Sequence, residues 1–173
     1  MKIVSITIII SLFLVGCGYK PTKYYAKNEI SGKVYIDTSI DISNTTNSIM
    51  IKDILNSMII NQFNSTVVNN KNEANTIVMA SFSSIAHKAI STDNEGYAKT
   101  YRVTVVINVK YKDINKNTSY KEVSVSDYYD YAVSSESVIT DKEKNSAVQH
   151  ASKSALTNLF GKIAINKFKV NDN

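Results

Sequence analysis

Apolar and polar residues alternate with two different periods along this chain, and the places where the period switches divide it into elements. An unbroken apolar run, Ile3 to Val15, comes first, with Lys2 as its positive flank. Residues 30–37, ISGKVYID, then read as a strand with Val34 and Ile36 on one face. Asn44-Thr45-Thr46-Asn47 supplies a loop and a cap. Beyond it Ile51, Ile54, Leu55, Met58, Ile59 and Phe63 recur at helical spacing, with Lys52, Asp53, Asn56 and Asn61 on the other side. That spacing predicts an amphipathic helix over 48–64 whose stripe belongs to the core.

Strand periodicity follows. Residues 76–90 favour a strand, although the alternation slips between Met79 and Phe82, which predicts a bulge or bend there. Asp93-Asn94-Glu95-Gly96 carries hairpin-turn chemistry. In the next strand Tyr97, Tyr101, Val103, Val105, Ile107, Val109 and Tyr111 share one parity, opposed by Thr100, Arg102, Thr104, Asn108 and Lys110. Val106 is the apolar exception on the polar side. A strand over 119–133 repeats the pattern, with Val123, Val125, Tyr129, Tyr131 and Val133 against Glu122, Ser124, Ser126, Tyr128 and Asp130. One apolar and one polar face is the signature of an antiparallel sheet covered on a single side.

Thr140 and Glu143 have the spacing of a capping box. Ala147, Val148, Ala151, Ala155, Leu159 and Ile163 then recur at helical spacing. Gly161 costs about 1 kcal/mol relative to alanine inside such a helix, so its last turns should fray or bend. The order is β-α-β-β-β-α. Two amphipathic helices can cover the apolar face of a four-stranded, mostly antiparallel sheet, so the expected fold is an α/β protein of the α+β type, a two-layer sandwich.

The first apolar run changes the picture from fold to place. It is short for a membrane span, which needs about 20 apolar residues. Its layout is that of a removed secretory signal, and it ends in Leu14-Val15-Gly16-Cys17, small residues before a cysteine. Signal peptidases that process lipoproteins read such a stretch. Cys17 is therefore the expected lipidation site and first mature residue, against an ordinary signal cut elsewhere or a short uncleaved anchor. The expected organisation is a signal peptide over 1–16, a lipidated basic tether over 17–28 and one globular domain over 29–173. Gly18 is not aspartate, the residue that commonly retains lipoproteins at the inner membrane, so the expected location is the outer membrane, facing the periplasm.

Cys17 is the only cysteine of the 173 residues, so the exported chain must rely on its core rather than on an internal disulfide. A formal net charge of +5 favours anionic surfaces without singling out nucleic acid, and no nucleic-acid partner is expected. Signals for catalysis are poor. His87 and His150 are the only histidines, and neither has a second ligand-type residue at metal spacing. His150 borders the stripe of the last helix, where a hydrogen-bonded structural role is expected. No G-x-S-x-G or supported S-x-x-K motif appears, and five glycines leave little for a phosphate-cradling loop. Asp127 and Asp130 fall on opposite faces of a strand and cannot act as a pair. The expectation is no enzyme, no metal and no cofactor beyond acyl chains on Cys17.

What remains is surface chemistry. Lys88, Lys99, Arg102, Lys110 and Lys112 cluster on the two strands around the hairpin, with Arg102, Lys110 and Lys112 on the polar face. Basic side chains on a rigid sheet suit phosphates of a lipid head group, arginine best. A solvated face kept charged against edge-to-edge pairing is the other reading. Tyr24, Tyr25, Tyr120 and Tyr128 are unusually many tyrosines for solvent-facing positions, which suits a protein interface.

Cys17 running into Gly18-Tyr19, the helix IKDILNSMIINQF and the strand GYAKTYRVTVVINVKYKD together resemble the LptE family, lipoproteins of lipopolysaccharide transport, over essentially the whole mature chain. The resemblance implies a protein held at the outer membrane by its lipid, plugging the LptD barrel and assisting lipopolysaccharide binding or insertion. Family contacts to lipopolysaccharide do not map residue by residue; Cys17 carries over, and Lys99, Arg102 and Lys110 are candidate phosphate contacts. A pilotin-like or structural lipoprotein of a secretion or motility complex makes the same use of anchor and tyrosines. A lipid-anchored hydrolase would need a convergent polar pocket.

Overall fold

The computed structural model describes residues 27, 29–38, 45–116, 119–133, 139–159, 161–163 and 165. Cys17, Tyr24, Tyr25 and the whole of the expected signal peptide lie outside the described residues. The elements are β1 (Lys33–Thr38), α1 (Thr45–Asn61), β2 (Thr66–Val68), β3 (Thr76–Thr92), β4 (Ala98–Asp113), β5 (Lys121–Ala132) and α2 (Asp141–Thr157). Single 3-10 turns stand at Lys71–Glu73 and Ile114–Lys116.

The sheet order is β2-β1-β3-β4-β5. β1 runs parallel to both β2 and β3, while β3, β4 and β5 form an antiparallel meander. The two-layer α+β sandwich is as expected, with one difference: the sheet has five strands and is mixed. β2, Thr66-Val67-Val68, is too short to show an alternation. The direction of β1 is invisible to periodicity, because the same faces arise whichever way a strand runs.

One apolar layer holds the fold together. Val34 and Ile36 of β1, Val78 and Ala80 of β3, the odd positions Val103 to Tyr111 of β4, and Val123 and Val125 of β5 are buried on one face. They cluster with Ile51, Leu55, Met58 and Ile59 of α1 and Ala147, Val148, Ala151, Ala155 and Leu156 of α2. Each large aliphatic side chain buried this way contributes about 1.5–3 kcal/mol. α1 covers β1 and β3, and α2 covers β4 and β5.

Local chemistry sets the element ends. α1 starts at Thr45, ahead of the expected Ser48. It ends where Asn64 takes a left-handed φ of 56° and the Ser65 N–H donates to the Ile59 carbonyl at 3.1 Å. Asparagine tolerates that conformation, and the bond satisfies an otherwise orphaned helix carbonyl. Gly32, at φ 74°, permits the entry into β1; a Cβ there would lie 2.7 Å from Asn75 Oδ1, which accepts the Lys33 N–H at 2.9 Å.

The β3–β4 register steps from Phe82↔Ile107 to Ser84↔Val106, so the bulge sits just past the expected position. The earlier slip in the pattern reflects Ile77 and Met79, apolar residues that lie on the sheet's other face. The capping box of α2 is formed: Glu143 N–H donates to Thr140 Oγ1 at 3.2 Å, and Thr140 N–H to Glu143 Oε2 at 2.8 Å. α2 is interrupted at Asn158, ahead of Gly161, yet Leu159 and Ile163 continue its buried stripe.

Candidate interaction surface

Because both helices pack on the same side, the opposite face of the sheet carries no helical layer among the described residues. Its even-numbered β4 positions, Arg102 to Lys112, are all partly or fully exposed. β5 contributes Glu122, Ser124, Ser126, Tyr128 and Asp130 to this face, since each pairs in register with an even β4 residue.

Two of its cations face carboxylates across the β4–β5 ladder. Arg102 sits directly across from Asp130, and its Nε and Nη2 donate to the two carboxylate oxygens at 2.7 and 2.8 Å. The same guanidinium lies 3.9 Å from the ring centroid of Tyr128, so it is both forked and stacked. Asp130 is held below the usual carboxylate range by that hydrogen bond, and Arg102 is raised by the same contact. Lys110 lies across from Glu122, its Nζ 3.6 Å from the carboxylate. Lys112 Nζ lies 5.9 Å from the Tyr120 ring centroid.

Lys99 is set apart. It is odd-numbered and sits at the hairpin end of β4, where its Nζ is 3.5 Å from Asp93. Desolvation pushes the Asp93 carboxyl up, but the N–H groups of Tyr97 and Glu95 and the Lys99 ammonium outweigh it and hold the group low. Arg102 and Lys110 thus share a surface, Lys99 does not, and each of the three has a carboxylate partner.

The acidic partners left a signal in the sequence. Glu122 and Asp130 have the same spacing as Arg102 and Lys110, so any antiparallel register that matches one pair matches the other. Cross-strand opposition is the unit in which sheet side chains interact. Reading each strand alone hides it.

The covered face has polar contacts of its own, at the margin of the core. Asp127, on the helix side, accepts from Ser154 Oγ at 2.5 Å and Asn158 Nδ2 at 3.3 Å, tying β5 to α2. These bonds, Ser154 foremost, lower its pKa. Asp127 and Asp130 therefore serve opposite faces, as their spacing implies. His150 stacks on Tyr129 at 4.7 Å between centroids, so a ring contact stands where a hydrogen bond was expected. Glu29 and Lys121 pair at 2.5 Å near Tyr111, whose hydroxyl is pushed up to about 12 by burial and by Glu29.

Among the described residues no group of three or more histidine, cysteine or acidic side chains could hold a metal ion. No helix among them is long and apolar enough to cross a membrane. Tyr120 and Tyr128 are 43% and 52% exposed, a large aromatic area on a face that also presents Met79, Val106, Lys88 and Lys112 beside the Arg102–Asp130 and Lys110–Glu122 pairs. Such a surface can bind.

A family model described as LptE, lipopolysaccharide-assembly, matches residues 37–163, well over half of the chain. The chain belongs to the LptE family. The matched span takes in nearly all of the sandwich, from the end of β1 to the helical residues past α2. No curated protein sequence matches the chain. Among solved structures this LptE-family chain is similar to the rare lipoprotein B from Shewanella oneidensis, at 11% identity and a TM-score of 0.52, covering 80% of this chain and 98% of that one. It is also similar to lipoprotein B from Nitrosomonas europaea, at 14% identity and a TM-score of 0.50, covering 87% and 93% of the two chains. At such identities the likeness is one of fold.

Proposed function

We propose that this LptE-family chain is a lipid-anchored, non-enzymatic partner of an LptD-like outer-membrane barrel that assists lipopolysaccharide transport and insertion. The observation that carries the reading is the family match across residues 37–163. In this reading residues 1–16 are removed, Cys17 carries the acyl chains, and residues 17–28 tether the domain formed by residues 29–173 to the periplasmic side of the outer membrane. The uncovered sheet face, with Tyr128 stacked beside the Arg102–Asp130 pair, meets the barrel, because exposed aromatic rings next to internally neutralised charges lose little on desolvation. A lipid phosphate at Lys99, Arg102 or Lys110 competes with Asp93, Asp130 or Glu122 for the cation.

The test is extraction of the tagged full chain from envelopes in mild detergent, with identification of what copurifies. A large β-barrel protein is expected alongside it, with Cys17 carrying a diacylglyceryl group on sulfur and an acyl chain on nitrogen by mass spectrometry, and with less surface lipopolysaccharide after depletion. Recovery of the chain alone, together with normal lipopolysaccharide export in its absence, would end the proposal.

A further inference from the structure

The strand ends gather at two rims of the sheet, and the rims differ in charge. At one rim β1, β2, β3 and β5 begin and β4 ends, since Lys33 stands across from Thr66, Thr76 across from Asp113, and Tyr111 across from Lys121. The 3-10 turn at Lys71–Glu73 runs into this rim, where the Asn75 N–H donates to the Lys33 carbonyl at 2.7 Å. The turn at Ile114–Lys116 closes it, because the Ile114 N–H donates to the Asn75 carbonyl at 2.8 Å.

Lys27, Lys33, Lys71, Lys112, Lys116 and Lys121 stand on or beside this rim. Against them the described residues set Glu29, Glu73 and Asp113, with Glu29 paired to Lys121 and Asp113 to Lys116. Ammonium groups are therefore in excess. At the other rim the hairpin turn and the start of α2 carry Asp93, Glu95, Asp141 and Glu143 against Lys99, Lys142 and Lys144, so among the described residues carboxylates are in excess there. A domain basic at one end and acidic at the other takes a preferred orientation over an anionic surface.

The course of the chain selects the same end. Ile30 is fully buried and Glu29 is paired to Lys121, so the polypeptide enters the domain at the basic rim. Residues 17–28 reach about 40 Å when fully extended and about 20 Å as a coil. An anchor on Cys17 thus keeps the basic rim, and not the acidic one, next to the lipid. Charges act on a surface only within about 8 Å at physiological salt. Five strands make a rim about 20 Å wide, which can lie flat with its lysines inside that distance. Ile114 and Tyr120, 40% and 43% exposed beside it, suit the head-group layer.

We propose that this rim docks on anionic phospholipid of the leaflet that holds the anchor. The proposal rests on the reading of Cys17 as acylated, and it leaves the open sheet face free for the barrel. Acyl chains retain the domain, and lysines worth about fivefold each near such a surface decide which way up it stands.

The experiment places the full chain in nanodiscs of phosphatidylcholine alone or of phosphatidylcholine with phosphatidylglycerol, each containing a lipid spin-labelled at its head group. A fluorophore is attached through Asn72→Cys at the basic rim or Asn94→Cys at the hairpin, both exposed positions. The rim label should be quenched in the anionic discs, much less in the neutral ones, and recover in high salt. The hairpin label should stay bright throughout. Lys33→Glu combined with Lys71→Glu, reversals at exposed positions, should weaken docking on the order of several hundredfold and restore the rim signal. A rim label left bright in anionic discs, or quenching that ignores lipid charge and salt, survives the reversal or is matched at the hairpin, would overturn the proposal. Loss of the chain from neutral discs is a separate result. It counts against the anchor on Cys17, and docking then stands or falls on whether anionic discs still retain the chain in low salt.

Discussion

β4 shows two surfaces on one strand. Val103, Val105, Ile107 and Val109 are fully buried beneath the helices, while the alternate residues Arg102, Thr104, Asn108 and Lys110 all keep contact with solvent. The buried set is held by apolar area removed from water, a force without direction that tolerates any register keeping the right parity inward. The outer set is held by opposed charges, Arg102 with Asp130 and Lys110 with Glu122, which individually stabilise little but distinguish one register from its neighbours. Stability belongs to one face, and register belongs to the other.

That division can be broken most forcefully from the covered side. Leu156 of α2 is fully buried in the cluster over β4 and β5, and Leu156→Ala should cost about 3 kcal/mol of unfolding free energy in urea denaturation. A loss well under 1 kcal/mol would mean that the helix layer does not carry the fold.

Asp127 sharpens the comparison, because it is a charged group on the covered side. Asp127→Asn should cost about 1–2 kcal/mol at neutral pH, through the weakened bonds to Ser154 and Asn158. Its folded pKa lies below the unfolded reference of 3.8, so the stability it adds is present above that value and is lost as pH falls through the lower, folded value. Urea titrations at neutral and acidic pH should therefore show a smaller acid loss in Asp127→Asn than in the parent. Equal acid losses would place the pH sensitivity elsewhere.

The open face should give the smallest effect. Arg102→Ala should shift the urea midpoint least of the three despite the forked geometry, because the pair is solvent-exposed. Exchanging the two, Arg102→Asp with Asp130→Arg, should recover most of what either single change loses. A loss on Arg102→Ala as large as that of Leu156→Ala, with no recovery on exchange, would make this face structural and erase the contrast.

Most of the fold was legible in the chain, for reasons visible in particular residues. The odd positions of β4 announce a covered strand, because burial on one side of a pleat imposes a period of two. Thr140 and Glu143 announce the start of α2, because a capping box is a local device. β2 was not legible: three residues become a strand only when β1 lies beside them to accept their hydrogen bonds. The candidate surface was half legible. Its cations appear on one strand, but their neutralisation by Glu122 and Asp130 depends on which strand lies alongside and in what register.

By itself the sequence determined what is short-range: the two periods, the turns, the caps, which residues turn inward, and the apolar run that ends at Cys17. Only the tertiary structure decided what is long-range. It fixed the parallel placement of β1 between β2 and β3, the carboxylate partner of each basic candidate, and the single rim that gathers Lys33, Lys71 and Lys121. Local pattern follows from the bonds a residue makes within a few neighbours. Partnership across strands and layers follows from the chain's return, which no single stretch encodes.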